Sequence, residues 1–515
     1  MTEACLAEHD DGFIARFVTI ARTDGGRVFA RFGAQTLTFA DFDEQSDRIA
    51  AGLHALGVGP GDRVGVMLGN SPASIALLFA LAKSGAVWIP LNIQLRAEQL
   101  RYILNHSEPR AVIADAELIP LICGCGAAMD NMILIAAGAG TDAIALDSLL
   151  AHPTRFAGAH PAADALFAIS YTSGTTGPPK GVMMSHRMLR LAGEGARLVS
   201  GAEDGDVFYM WEPLYHIGGS QLAIVPLLRR VVLHMAPRFS ARSFWSDVQA
   251  VGSRHVHYLG GSLQILLKQP PSPLDIMHGA QIAWGGGCPA DVWRAVQARF
   301  GVQVRECYGM TEASSFTTFN NSGTVGSVGK PLPWFSIEVL DASGAPVAPG
   351  ARGEIVVRSS DPRAITQGYF RNPEATAKAL RNGALYTQDV GSWDADGNLF
   401  FHGRMTESVR VKGENVSAWE VEHVAAAHPD VADCAMIGVA ADVGEQDIKL
   451  FVQPKPGAVL EASELSHWLT ARLPPYQNPR YVALVEEFER TPSLRIMKQR
   501  LSTSRDDCWD RAANR

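Results

Sequence analysis

The 515-residue sequence contains no apolar run approaching the roughly 20 residues that span a bilayer. Its segment from Ile75 to Ala82 is typical, and Lys83 closes it. No transmembrane segment is expected. The amino terminus also lacks the charged-then-apolar order of an export signal, since Met1 to Asp11 is acidic. A cytoplasmic location is the expectation. Cysteine is scarce: seven residues, at positions 5, 123, 125, 288, 307, 434 and 508, are an odd number. Cys123-Gly124-Cys125 has one spacer residue and no second pair, which excludes the usual zinc spacing and leaves reduced, structural thiols. Positive charge is not in excess either. A net charge of -8 argues against nucleic acid or an anionic membrane as the main partner. No internal repeat is evident.

What is present is an ordinary globular composition, 47% hydrophobic and 19% charged, on a chain long enough for more than one core. From Thr38 the pattern is regular. Thr38 and Asp41 form a capping-box pair, and Phe42, Ile49, Leu53 and Leu56 recur at helical spacing up to Gly57. Arg63 to Met67 reads as a strand, Asn70-Ser71-Pro72 opens a helix that runs to Gly85, and Val87 to Ile89 is a further strand. This rhythm predicts parallel pairing with right-handed crossovers through most of the first 400 residues. The Ala/Gly-rich stretch from Cys123 to Pro161 has weak periodicity and is expected to form surface segments.

The centre of the chain is Ser170-Tyr171-Thr172-Ser173-Gly174-Thr175-Thr176-Gly177-Pro178-Pro179-Lys180-Gly181, which follows an apolar strand at Ala165 to Ile169. Its glycines let the backbone approach a polyanion, its hydroxyls donate hydrogen bonds, and Lys180 adds a positive charge. The spacing is not that of the commoner phosphate loop, which needs two glycines five apart before Lys and Ser/Thr. Ser185 is positioned to cap the following helix. Clusters of this composition are usually surface turns. Its companions decide otherwise. They are Trp211-Glu212-Pro213-Leu214-Tyr215-His216, Trp284-Gly285-Gly286-Gly287-Cys288-Pro289, Glu306-Cys307-Tyr308-Gly309-Met310-Thr311-Glu312, Tyr386-Thr387-Gln388-Asp389 and Arg490-Thr491-Pro492-Ser493-Leu494-Arg495-Ile496-Met497-Lys498. Taken singly, the first three read as a packed histidine, a loose loop and a solvated helix start.

In order and together, these stretches resemble the signatures of the adenylate-forming superfamily: acyl-CoA synthetases, luciferases and the adenylation domains of peptide synthetases. The motifs come nearest to carnitine/crotonobetaine-type and fatty acyl-CoA ligases, and the resemblance spans Thr38 to Leu501. It implies an α/β fold with a large multi-subdomain amino-terminal domain of parallel sheets and a small barrel, followed by a small mobile α+β carboxy-terminal domain. The implied boundaries are 1–403 and 404–515, with a hinge at 404–406.

The resemblance also implies roles. Thr172, Ser173, Gly174, Thr175, Thr176, Gly177 and Lys180 would grip the triphosphate; Gly286, Gly287, Cys288 and Tyr308 would face the adenine, with Trp284 toward the acyl pocket. Thr311 would bind phosphate and Glu312 magnesium, which favours hard oxygen ligands. Asp389 would accept from both ribose hydroxyls, with Arg404 a second nucleotide anchor. His216 would line the acyl or pantetheine channel, and Lys412 and Gly413 would reach the pantetheine tunnel. Three positions depart from the pattern: Gln388 stands where glycine is usual, Thr406 where the hinge carries Asp or Lys, and Arg495 where a lysine bridges the substrate carboxylate and α-phosphate. Arginine keeps the charge but is bulkier than lysine at a tight site. If that stretch is a strand, Lys498 faces away and does not substitute.

The implied reaction is ATP-dependent activation of a carboxylic acid as acyl-AMP, then transfer to CoA. ATP, magnesium and CoA are the implied cofactors and co-substrates. A small-molecule acid is the expected partner, without nucleic acid, and with self-association as a homodimer allowed. Two alternatives stand beside this reading: an acyl-AMP ligase with another acceptor, and a nucleotide binder with reduced or lost adenylation.

Overall fold

The computed structural model describes residues 12–513 except 96, 129–130, 173–178, 260, 406–407, 412–413, 442–445, 474 and 492–494. The chain divides into two compact units, and the first holds Met1–Gly174, Pro178–Ser336 and Val357–Leu385. The second holds Thr175–Gly177, Ile337–Val356 and Tyr386–Arg515.

The first unit begins as the capping signals require. Thr38 accepts from the Asp41 amide while the Asp41 carboxyl accepts from the Thr38 amide, opening the helix Phe39–Ala55. Ser71 caps Pro72–Ser84, which stops at Gly85. That second helix is buried on every side, and Lys83, only 1% exposed, is matched by Asp43 at 2.7 Å and Asp47 at 2.6 Å from the neighbouring helix. A buried ammonium without such partners would be strongly destabilising.

Two sheets carry this unit. The seven-stranded sheet runs Ile144–Ala145, Ile133–Ala137, Ala111–Asp115, Arg63–Met67, Val87–Pro90, Leu166–Thr172 and Lys180–Ser185, parallel except for the last pair. The Ala/Gly-rich stretch is therefore not all surface: Ile133–Ala137 is an inner strand with Ile135 and Ala136 buried. A strand covered on both faces shows no polar alternation, so its pattern is faint.

The nine-stranded sheet has a parallel centre in the order Gln303–Met310, Ile282–Gly286, His255–Leu259, Val207–Met210, Val232–Met235 and Val28–Phe32. Antiparallel strands Ser315–Phe319 and Lys330–Pro331 extend one edge, and Gln35–Thr38 closes the other. The helix His186–Ser200, capped by Ser185, is nearly all buried. Its Arg187 is paired with Asp361 at 2.9 Å.

In the second unit, residues 389–393 of the strand Ala384–Trp393 pair antiparallel with Leu399–Arg404. Beyond them Val431–Ala440, Gln446–Pro454, Tyr481–Leu484 and Trp509–Asp510 form a four-stranded sheet. Helices Ala418–Ala426 and Ala462–Thr470 cover it over a core that includes Val421, Leu450, Leu465 and Val482. This is the α+β texture expected from the carboxy-terminal periodicity. Among the described residues, no helix is long and apolar enough to cross a membrane.

Candidate active site

In the first unit the candidate residues sit at the carboxyl ends of parallel strands, where open α/β sheets bind ligands. Thr172 and Lys180 stand opposite each other across the Leu166–Thr172/Lys180–Ser185 hairpin. The Gly/Ser/Thr loop thus leaves and re-enters the sheet at one point. Of that loop, Ser173, Gly174, Thr175, Thr176 and Gly177 lie outside the described residues.

Lys180, half-buried, holds its Nζ 5.3 Å from the ring centroid of Tyr369, a cation–π distance. The Tyr369 hydroxyl donates to Glu312 Oε1 at 2.9 Å. One side chain therefore joins the candidate phosphate lysine to the candidate metal carboxylate. Tyr369 is placed by the short strand contact with Val182 and by Phe370 N–H donating to the Gly181 carbonyl at 2.8 Å. Sequence reading assigned Tyr369 no role.

Thr311, Glu312 and Ala313 form a single turn after the Gln303–Met310 strand. The next two residues, Ser314 at φ 51 and Ser315 at φ 72, both take left-handed backbone. Non-glycine residues adopt this at a cost of about 1–2 kcal/mol each, and such strain gathers at functional sites. Ser314 Oγ fixes the turn by donating to the Ala364 carbonyl at 2.7 Å. Gly309 is required by close packing, because a Cβ there would lie 1.8 Å from the Ser315 carbonyl oxygen.

The Trp284–Cys288 turn and the Tyr308 strand are brought together by register, Gly285 opposite Glu306. Glu306 binds the turn directly. Its carboxyl accepts from Gly287 N–H at 2.7 Å, Cys288 N–H at 3.0 Å and the Tyr258 hydroxyl at 2.5 Å. Burial pushes Glu306 up to about 7, against the lowering effect of those three donors. The glutamate opened the quoted motif, but its sequence gave no sign that it reaches back to the glycine turn. Burial also pushes the Cys288 and Cys307 thiols up, so neither is an activated thiolate.

His216 occupies the cap position of Ile217–Leu222, its carbonyl accepting from Gly219 and Ser220 N–H. Its ring meets Tyr215 edge-on at 4.8 Å. Trp284 is fully buried, 4.2 Å from the His257 ring and 5.9 Å from Phe316.

The second unit carries the other candidates. Asp389, 3% exposed, lies opposite Arg404 in the strand pair, with Arg404 Nε 3.4 Å from Asp389 Oδ1. Gln388 stands at φ 59, so glutamine keeps the left-handed turn that glycine would favour. Its N–H donates to Glu354 Oε1 at 3.0 Å, and Asp389 N–H to Thr387 Oγ1 at 3.1 Å.

Arg495 is exposed and lies beside an isolated antiparallel bridge between Arg490 and Ile496 rather than in a continuous strand. Thr491 N–H donates to the Arg495 carbonyl at 2.7 Å. Lys498 starts a short turn and pairs with Glu422 at 2.9 Å, so the alternation expected of a strand does not set its direction. Lys412, Gly413 and Thr406 lie outside the described residues.

Glu312 offers a carboxyl with one oxygen engaged by Tyr369, a hard oxygen donor of the kind magnesium accepts while keeping waters and sharing phosphate oxygens.

A family model described as AMP-binding enzyme matches residues 17–370, and one described as AMP-binding enzyme C-terminal domain matches residues 420–494. The chain is similar to a medium/long-chain-fatty-acid–CoA ligase of Mycobacterium tuberculosis, 32% identical over 513 residues that cover 93% of this chain and 83% of the relative. It is also similar to the crotonobetaine/carnitine–CoA ligase of Salmonella paratyphi A, 29% identical over 481 residues covering 90% of this chain and 92% of the relative. Among solved structures, ATP-bound MatB from Rhodopseudomonas palustris matches with a TM-score of 0.85 at 27% identity, over 95% of this chain and 97% of that one.

Proposed function

Because the chain belongs to the AMP-binding enzyme family, we propose that it is an ATP-dependent acyl-CoA ligase, joining a carboxylic acid to the thiol of CoA by way of acyl-AMP. The observation that carries this reading is Tyr369, which holds Lys180 over its ring and Glu312 at its hydroxyl. A cation and a hard carboxyl are thereby gathered at the root of a Gly/Ser/Thr loop.

In the first half-reaction a carboxylate oxygen of the acid bonds to the α-phosphorus of ATP, and the bond to the departing pyrophosphate breaks. The chain supplies no nucleophile. Lys180 and the loop groups from Thr172 to Gly177 oppose charge growing on the phosphate oxygens, and Thr311 donates its hydroxyl to one of them. Glu312 would hold magnesium, which neutralises triphosphate charge when bound. Gly286, Gly287, Cys288 and Tyr308 receive the adenine, and Asp389 with Arg404 receives the ribose. Arg495 meets the reacting carboxylate and α-phosphate.

In the second half-reaction the CoA thiolate bonds to the acyl carbon and the bond to AMP breaks. Residues 404–515 act as a mobile domain about the 404–406 hinge, withdrawing Arg495 and presenting Lys412 and Gly413 to the pantetheine arm. His216 lines the acyl or pantetheine channel. A cytoplasmic location, where ATP and CoA are available, accords with this reading.

The test is pyrophosphate release from ATP and magnesium across a panel of carboxylic acids, with and without CoA. Release with a subset of acids, and acyl-CoA formed only with CoA, is expected. ATP binding without release from any acid would overturn the ligase in favour of a nucleotide binder, and acyl-AMP that CoA never consumes would indicate another acceptor.

A further inference from the structure

Four polar side chains are shut inside the first unit with hydrogen-bonding atoms that find no partner among the described residues: Glu212 Oε1, His257 Nε2, Trp284 Nε1 and both amide atoms of Gln221. Their exposures are 1%, 3%, 0% and 0% in that order. Buried polar groups in folded proteins are almost always satisfied, so each such atom calls for a partner.

The four are not scattered. His257 and Trp284 stand opposite each other on the parallel strands His255–Leu259 and Ile282–Gly286, their rings 4.2 Å apart. Glu212 follows the next strand, Val207–Met210, and its other oxygen, Oε2, is bonded to His257 Nδ1. Gly218 covers Glu212, since a Cβ on it would lie 3.3 Å from Oε1. Gln221 is three residues further along the same helix, Ile217–Leu222, and so on the same face.

The register also fixes the depth. His257 and Trp284 sit two residues before Leu259 and Gly286, which are level with each other at the strand ends. At about 3.3 Å per residue this is about 7 Å beneath the glycine turn. The cluster therefore lies under the candidate adenine turn and beside the helix that His216 caps, toward the sheet interior.

We propose that this cluster is the floor of the acyl pocket and that it selects acids whose far end carries a hydrogen-bond donor, a hydroxyl or an amine, over acids with a plain alkyl or aryl end. Glu212 Oε1 accepts that donor. With Nδ1 turned to Glu212, His257 Nε2 is a second polar atom left for the ligand, and Trp284 Nε1 gives its hydrogen to a hydroxyl oxygen. A plain hydrocarbon end leaves all of them unpaired, which costs far more than a missing methylene.

This rests on the ligase reading, and the experiment separates the two. Pyrophosphate release is measured for matched acids of equal length: hexanoate against 6-hydroxy- and 6-aminohexanoate, and benzoate against 4-hydroxy- and 4-aminobenzoate. The wild-type protein is expected to favour a donor-bearing member by about 100-fold or more in kcat/KM. Glu212→Leu is expected to erase or invert that preference with the KM for ATP unchanged. Glu212→Gln, closer in shape, should narrow it.

Turnover of the plain acids at rates equal to or above their donor-bearing partners overturns the floor assignment and leaves the ligase intact. A Glu212→Gln variant that lowers both members of a pair equally overturns it too. Absence of pyrophosphate with every acid overturns the ligase reading itself.

Discussion

The hydroxyl of Tyr369 donates to Glu312 Oε1 at 2.9 Å across 57 positions of sequence. This bond engages one of the two oxygens of the carboxyl proposed to hold magnesium. Partners of this kind orient a metal-holding group, and removing them usually weakens metal use 10–100-fold. Tyr369→Phe is therefore expected to raise the magnesium concentration for half-maximal pyrophosphate release about 10-fold, with a smaller change in the KM of the acid. A magnesium titration checks it; unchanged half-saturation would remove Glu312 from the metal role.

Gln388 at φ 59 holds a backbone conformation that costs a non-glycine residue about 1–2 kcal/mol. Glycine would relieve that strain while adding freedom to the unfolded chain, which offsets about half of it. Gln388→Gly is expected to stabilise the protein by about 0.5–1 kcal/mol, read as a higher denaturant midpoint, and to leave ATP use intact. A loss of stability would mean that the glutamine side chain makes a contact worth more than the strain.

What the sequence revealed and what it concealed divide along physical lines. Thr38 with Asp41, and Ser71 with Gly85, are local signals, and both helices begin and end where those residues require. The order of the site motifs was equally legible, because each is a short stretch at a strand end. Tyr369 was hidden, since its partners Lys180 and Glu312 are distant in sequence and meet only through the fold. Glu306 was hidden for the same reason: its bonds go to Gly287, Cys288 and Tyr258 on neighbouring strands. At Gln388 the residue type suggested an altered turn, whereas the backbone takes the left-handed conformation glycine favours, anchored by Glu354.

Glu306 gives the protein a pH dependence of definite sign. Burial raises its folded value from the ordinary 4.5 to about 7, so the folded state binds the extra proton. Its contribution to stability is complete below about pH 4.5 and is lost as pH rises toward 7, a change on the order of 3 kcal/mol. Denaturant unfolding at about pH 5 and about pH 8 should show this loss in the wild type and little of it in Glu306→Gln. The variant also places an amide N–H₂ against Gly287 or Cys288 N–H, so its KM for ATP is expected to rise about 10-fold. Parallel pH profiles for the two proteins would show that Glu306 does not titrate in this range.

Arg495 is the cation proposed for the adenylation half of the reaction, and assays of the separate halves test it. It is exposed, and its backbone is tied to Thr491 by Thr491 N–H donating to its carbonyl and its own N–H donating to Thr491 Oγ1, outside any packed strand. Lys498 is held by Glu422, and another cation of this stretch, Arg490, pairs with Asp433 at 2.6 Å. Arg495→Ala is expected to slow pyrophosphate release about 100-fold or more, while transfer from supplied acyl-AMP to CoA keeps its rate. Arg495→Lys should retain or raise the release rate, because the charge is kept and the smaller head fits a tight site. Equal losses in both half-reactions would assign Arg495 to folding of this stretch. A collapse with lysine alone would show that the forked guanidinium has its own geometry at the phosphate.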